Sequence, residues 1–299
     1  MAVETEKTAP VKQKKRKKKS QVRAIFERIA INKPAMAGLI VLGLLILVAI
    51  FAPLIAPYSV IEQDFGYVLK GPNAQHIFGT DNLGRDIFSR CVYGARYSLA
   101  LGLSASLFAG IVGNAAGIII GYIGGKVDMI GMRICDVLTA IPGQLLAIVI
   151  STAAGAGFVQ TIFAMSIGGI PMSARNSRAM CLRERQMEYL EAAHSINVPR
   201  LKIMFKHMLP NVMAPALVGT TMSVGNSIMG AAGLSFIGLG IQPPTPEWGA
   251  ILTAGKGYVS FENGIYMMLF PGILIAIVVL AVNLFGDGLR DAMDPRLKK

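Results

Sequence analysis

Apolar positions in this chain come in long, nearly unbroken runs, and the polar residues collect between them. That is neither the strict alternation of a half-buried strand nor the narrow apolar stripe of a surface helix. Each run approaches the ~20 residues a helix needs to cross the hydrocarbon core of a bilayer. Six runs qualify, at about 35–55, 97–123, 129–150, 152–170, 209–233 and 265–285. The second is rich in Gly, Ala and Ser, as closely packed helix faces are, and the fourth is broken by glycine at both ends. Pro142-Gly143 predicts a kink in the third. The expected fold class is therefore an all-α integral membrane protein with about six transmembrane helices.

Composition agrees. Charged residues are 15% of the 299, against about a quarter in a soluble domain, and glycine is frequent at 33. The net charge of +12 does not indicate nucleic acid, because much of it lies in Lys12–Lys19, shortly before the first run. Basic residues there fix orientation and attract anionic lipid headgroups. With the N-terminus inside, the inner segments are a basic tail (1–34), the turn at Lys126, a loop at 173–208 and the C-terminus (287–299). The loop carries Arg175, Arg178, Arg183, Arg185, Arg200, Lys202 and Lys206, whereas the outer segments are poorer in positive charge apart from Arg85, Arg90 and Arg96. Lysine and arginine placement thus predicts both termini on the cytoplasmic side. The first run (35–56) has no small-residue cleavage pattern after it and is expected to stay as an anchor.

Candidate chemistry is sparse. Cys91, Cys135 and Cys181 fall in separate segments with no CxxC spacing, and His76, His194 and His207 lie outside the apolar runs. Neither a disulfide framework nor a metal site is expected. No GxxxxGK[ST], GxSxG or HExxH sequence occurs, which argues against an ATP site or an intramembrane hydrolase. Within the third run Arg133 and Asp136 are three apart on one helical face. Such a pair marks either a functional site or a structural ion pair that fixes subunit packing.

The loop at 173–208 has the pattern of helix, turn, helix. Residues 183–193 are mostly good helix formers, and Asn197 suits a left-handed stop. Pro199 fits the first turn of the next helix, whose apolar side would carry Leu201, Ile203, Met204 and Phe205, and Pro210 opens the fifth span. Two readings fit this periodicity: a docking surface, or an amphipathic loop seated in the headgroups.

Glu191-Ala192-Ala193, the turn at Asn197 and Leu209-Pro210 resemble the EAA loop of ABC-importer permeases. That pattern is written as EAA, three residues, Gly, nine residues, Ile, one residue and Leu-Pro. Asn197 stands in the Gly slot, where it can make the same turn, and His207 in the Ile slot, where it removes an apolar docking contact. The resemblance implies a coupling helix in a cleft of an ATPase subunit, with Glu191 facing a basic group, the two alanines allowing close approach and Arg200 flanking.

Two outer segments narrow the family. His76–Leu99, with Gly79, Thr80, Asp81, Gly84, Arg85 and Asp86, resembles the motif before the second span in C-type subunits of dipeptide, oligopeptide and nickel importers. Locally it predicts a glycine-punctuated turn and an interfacial helix from about Ile87, placing Arg90, Tyr93, Arg96 and Tyr97 at headgroup level. The segment 234–252, with Glu247 and Trp248, resembles the loop between the last two spans of the same subunits. Glu247 and Trp248 are candidates for contact with an extracytoplasmic binding protein or for interfacial anchoring and packing. The segment holding Arg133, Asp136 and Pro142 is similar to these subunits too.

The resemblance implies a type I importer permease in a prokaryotic inner membrane: an extra N-terminal span, an outer loop (57–96) and a five-helix core (97–286) with an outer loop at 234–264. It implies pairing with a B-type permease, two ATPase subunits that hold ATP and Mg, and a substrate-binding protein. This chain would bind no cofactor. Its substrate would be peptides; nickel chelates or glutathione are alternatives. An ion-coupled secondary transporter is a different class, but no clear inverted repeat or mid-span acidic residue favours it.

Overall fold

The computed structural model describes residues 21–293, so Lys12–Lys19 and Arg296, Lys298 and Lys299 lie outside the described residues. Regular structure among the described residues is helical, with a single isolated bridge between Thr80 and Asp86. Helix α1 (Gln21–Ile31) lies inside the segment expected to be a basic tail, yet it is folded onto the bundle. Ile29, Ala35 and Ala292 form a small cluster there, and Arg28 donates to the Ala292 carbonyl at 2.8 Å. Asn32 then caps α2 (Lys33–Ile50), accepting from the Ala35 N–H at 3.2 Å.

Helix α2 is apolar all round, and Ile40, Leu44, Leu47 and Ile50 are exposed along it. An apolar surface of that kind fits lipid rather than water. After a short turn of helix, α3 (Ala52–Ile55), the chain crosses an irregular segment and enters α4 (Ile87–Ile123). This helix has 37 residues, about 56 Å at 1.5 Å per residue. The expected interfacial helix and second span are therefore one continuous helix, since nothing between Ile87 and Tyr97 breaks it. Arg90 accordingly sits on the inward face rather than among headgroups, donating to the Val60 carbonyl at 2.8 Å. Arg96 donates to the carbonyls of Ala49 and Ile50 (2.7 Å to the latter), closing the C-terminal end of α2.

The third run does more than kink. α5 (Gly125–Ala140) and α6 (Gly143–Ala154) meet at 84°. Pro142 has no N–H to donate and pushes Ile141 into an extended conformation, φ −92° and ψ 125°. The fourth span also differs from expectation. Residues 152–154 belong to α6, and α7 (Phe158–Glu184) continues well past residue 170 with Pro171 inside it. Arg175 and Arg178, which look like loop residues in the sequence, are held on this helix by acidic partners on α5. The loop expected at 173–208 shortens to the segment after Glu184.

α8 (Glu188–Ser195) and a three-residue helix, α9 (Arg200–Lys202), lead through a π-helical stretch (Ile203–Met208) into α10 (Leu209–Phe236). α11 (Trp248–Gly255) and α12 (Tyr266–Met293) complete the chain. Among the described residues α2, α4 and α12 are long and apolar enough to cross a bilayer, and the bent α5–α6 pair is a fourth span if counted as one. The expected runs at 152–170 and 209–233 correspond to α7 and α10, long helices that are more polar. α4 is the centre of the bundle, with α7 along it and α10, α2 and α11 against its other sides. The α4–α7 approach depends on Gly117: a Cβ there would lie 2.1 Å from the Ala174 carbonyl oxygen.

Candidate functional site

At one end of the bundle, α8 is seated on the ends of three long helices. Leu190 and Ala193 are buried in a cluster with Ile118 of α4, Cys181 of α7 and Val212 of α10. The helix stops as the sequence suggested: Asn197 has φ 56°, in the left-handed region. Its N–H donates to the His194 carbonyl at 2.9 Å, and the Val198 N–H to the Ala193 carbonyl at 3.1 Å. These two bonds form a Schellman cap, and Val198 adds an apolar contact to the same cluster.

The π-helical stretch divides the side chains expected on one apolar face. Ile203, Met204 and Met208 are buried, whereas Leu201 and Phe205 are exposed. Insertion of an extra residue per turn rotates the face. Glu191, Ala192 and Arg200 are exposed, Leu209 is half-buried against the cluster, and Pro210 lies exposed in the first turn of α10. The Arg200 carbonyl accepts from the Tyr122 hydroxyl at 2.6 Å, tying α9 to the end of α4. Tyr189 bonds the Glu184 carboxylate, and Asn211 bonds both groups at 2.9 Å. Burial, with help from the Glu184 bond, pushes the Tyr189 phenol up to about 12. It therefore remains a proton donor at neutral pH.

Between α5 and α7 the ionic partners differ from the sequence reading. Arg133 and Asp136 are 4.0 Å apart, and the Arg133 side chain is 81% exposed. The close partner of Asp136 is Arg175 on α7 at 2.8 Å, which also bonds Thr139 at 2.8 Å. Asp128 and Arg178 form a second, two-bond pair. Two ion pairs thus join α5 to α7, and Pro142 stands at the N-terminus of α6 where the helix pair bends.

The opposite end is closed on itself. Asp81 accepts from the N–H groups of Leu83 (2.8 Å) and Arg85 (2.9 Å) and from Arg85 Nε (2.6 Å). Asp86 caps α4 through the Ser89 N–H at 2.6 Å and meets His76 Nδ1 at 3.0 Å. Thr80 Oγ1 accepts from the Lys70 N–H at 3.0 Å and donates to the Tyr67 carbonyl. Gly79 and Gly84 turn the chain at φ 78° and 73°, and a Cβ on Gly84 would lie 2.0 Å from the Asp64 carbonyl oxygen.

Glu247 and Trp248 also belong to this interior, which fits packing, one of the two roles open to them from the sequence. Trp248 is 0% exposed and donates Nε1–H to the Cys91 carbonyl at 2.9 Å. Glu247 caps α11, accepting from the Gly249 and Ala250 N–H groups and from the Ser98 and Ser235 hydroxyls, all within 3.1 Å. Both side chains have their polar groups bonded within the chain.

Sequence reasoning missed a groove of about 290 Å³ bounded by α4, α7 and α10, with Gly143 of α6 at its edge. Asn114, Asn176, Ser223 and Asn226 are among its lining residues. The available signal was an asparagine inside an apolar run, at Asn114 and again at Asn226.

Long helices around a groove, with a short exposed helix seated on the same three helices, fit a membrane transport permease. The comparisons agree. Residues 113–299 match the family "Binding-protein-dependent transport system inner membrane component", and residues 20–72 match "N-terminal TM domain of oligopeptide transport permease C". This chain belongs to that family, the integral inner-membrane permeases of ABC importers.

It is 42% identical over 276 residues to the dipeptide transport system permease protein DppC of Alkalihalophilus pseudofirmus, covering 92% of this chain and 90% of that one. To the di/tripeptide permease protein DppC of Pseudomonas aeruginosa it is 39% identical, covering 93% of each chain. To the glutathione permease protein GsiD of Escherichia coli it is 45% identical, covering 88% of this chain and 87% of that one. A solved chain of the inward-facing MetNI methionine ABC transporter superposes with a TM-score of 0.57 at 20% identity, covering 70% of this chain and 98% of that chain. That likeness supports the fold.

Proposed function

We propose that the chain is one half of a heteromeric importer pore that moves short peptides inward, drawing on ATP hydrolysed by separate subunits that hold ATP and Mg. The observation that carries this reading is the seating of α8. Leu190 and Ala193 bury one face on α4, α7 and α10, while Glu191 and Ala192 face outward. A push on the outward face reaches the helices that line the groove through buried contacts, without crossing a flexible link. The small Ala192 allows a partner surface to approach closely, and Glu191 offers it a carboxylate.

In this reading both termini and α8 face the cytoplasm, as the basic residues of the α8 region favour. The segments 57–86 and 237–265 face outward beside a substrate-binding protein, and a related B-type permease completes the pore. Dipeptides and tripeptides are the cargo named for relatives across nearly the whole chain, and glutathione is itself a small peptide derivative.

The test is reconstitution of the complete importer in proteoliposomes, with ATP inside and the binding protein outside. Uptake of di- or tripeptides that needs both is the expected result. Uptake driven by an ion gradient without ATP would overturn the reading, as would ATP-driven uptake confined to a non-peptide solute.

A further inference from the structure

The groove that the sequence analysis missed says what kind of contact the cargo makes. It runs along α10 from Pro215 to Ser227, a rise of about 18 Å. Its lining holds three asparagines, four hydroxyl residues and three methionines, with no charged side chain among them. Asn114 is the fixed member: its Oδ1 accepts from Ser177 Oγ at 2.7 Å and its Nδ2 donates to Thr220 Oγ1 at 3.3 Å. Asn176 and Asn226 are exposed on the groove, and their side chains have no hydrogen-bond partner among the described residues.

A carboxamide both donates and accepts, so it can meet a peptide N–H or a peptide C=O equally well. A charged side chain in so narrow a space would hold peptides of opposite sign and repel those of like sign. Methionine adapts to side chains of different shape.

From these features we propose that the groove is a backbone-recognition passage: Asn176 and Asn226 exchange hydrogen bonds with the amide groups of the passing peptide, and transport is insensitive to side-chain charge. The proposal rests on the peptide-import reading and names how this half of the pore contacts its cargo.

The experiment uses the complete importer in proteoliposomes with three probes, Ala-Ala, Glu-Glu and Lys-Lys, each at saturating binding protein. Wild type and variants share one binding protein, so its preferences cancel when uptake ratios are compared. In Asn176→Asp/Asn226→Asp, Glu-Glu uptake relative to Ala-Ala is expected to fall about tenfold. In Asn176→Leu/Asn226→Leu, all three peptides fall by a common factor and their ratios stay as in wild type. Recovery of the ATPase subunits with each variant in a mild-detergent pull-down, at the wild-type ratio, shows that the complex is assembled. Unchanged uptake and ratios in the aspartate variant, with the complex assembled, would overturn the groove assignment alone. Failure of the wild type to import any of the three probes would overturn the peptide reading and the groove assignment with it.

Discussion

The two ends of the bundle carry motifs of equal prominence in the sequence, yet they are built in opposite ways. At the α11 end the motif residues turn inward: Thr80, Asp81, Asp86, Glu247 and Trp248 are buried, and their polar groups are bonded within the chain. At the other end only the inner face of α8 is used for packing, and Glu191, Ala192 and Arg200 point away from the bundle. A buried polar residue with all its bonds made locks a fold. An exposed one beside a buried anchor is available to a partner. Motif residues at the α11 end should therefore report in stability, and those of α8 in transport.

The contrast would break first at Trp248. Trp248→Ala should lower stability by about 3–5 kcal/mol, read as loss of folded protein in a thermal unfolding series in detergent. Were the variant normally stable and defective only in transport, the α11 end would be a working surface after all.

Glu191→Lys should do the reverse. We expect uptake and recovery of the ATPase subunits in a mild-detergent pull-down to be lost, with the melting temperature unchanged. Normal uptake and association in that variant would remove α8 from the coupling role.

A smaller effect is expected between α5 and α7. Asp136→Arg should place like charges against Arg175 and lower the melting temperature by a few degrees, on the order of 1 kcal/mol for a pair this exposed. Arg175→Glu added to it should restore the melting temperature. A double variant no better than the single one would mean that the pair at 2.8 Å contributes nothing to the packing of α5 on α7.

The smallest effect is at the turn. Asn197→Gly should be neutral within about 0.5 kcal/mol because either residue accepts φ > 0. Asn197→Val should cost about 1–2 kcal/mol, and a neutral valine would contradict the left-handed cap.

Local features of this arrangement were legible in the sequence. The long apolar runs, the stop at Asn197, the break at Pro142 and the first turn of α10 at Pro210 each depend on a few neighbouring residues. Features that depend on distant residues were not legible. Trp248 is buried because Cys91, 157 positions earlier, offers a carbonyl. A lone tryptophan after a Pro-rich loop otherwise reads as a surface anchor. Asp136 looks paired with Arg133 because they share a helix face, but Arg175 on α7 comes closer. The extent of α7 was hidden for the same reason, since Arg175 and Arg178 suggest a loop until Asp136 and Asp128 are set beside them. Asn114 and Asn226 were visible as polar residues in apolar runs, but only the packing of α4, α7 and α10 shows that they share a groove.

The central claim, that the outward face of α8 is the contact for the driving subunits, is tested most directly by a single cysteine at Ala192. The three native cysteines are buried, so background reactivity is low. The assembled importer carrying Ala192→Cys would be treated in membranes with a short thiol-to-amine cross-linker. The account predicts a product joining this chain to an ATPase subunit and protection of the same cysteine from maleimide. Free maleimide labelling in the assembled complex, with no product containing an ATPase subunit, would contradict it.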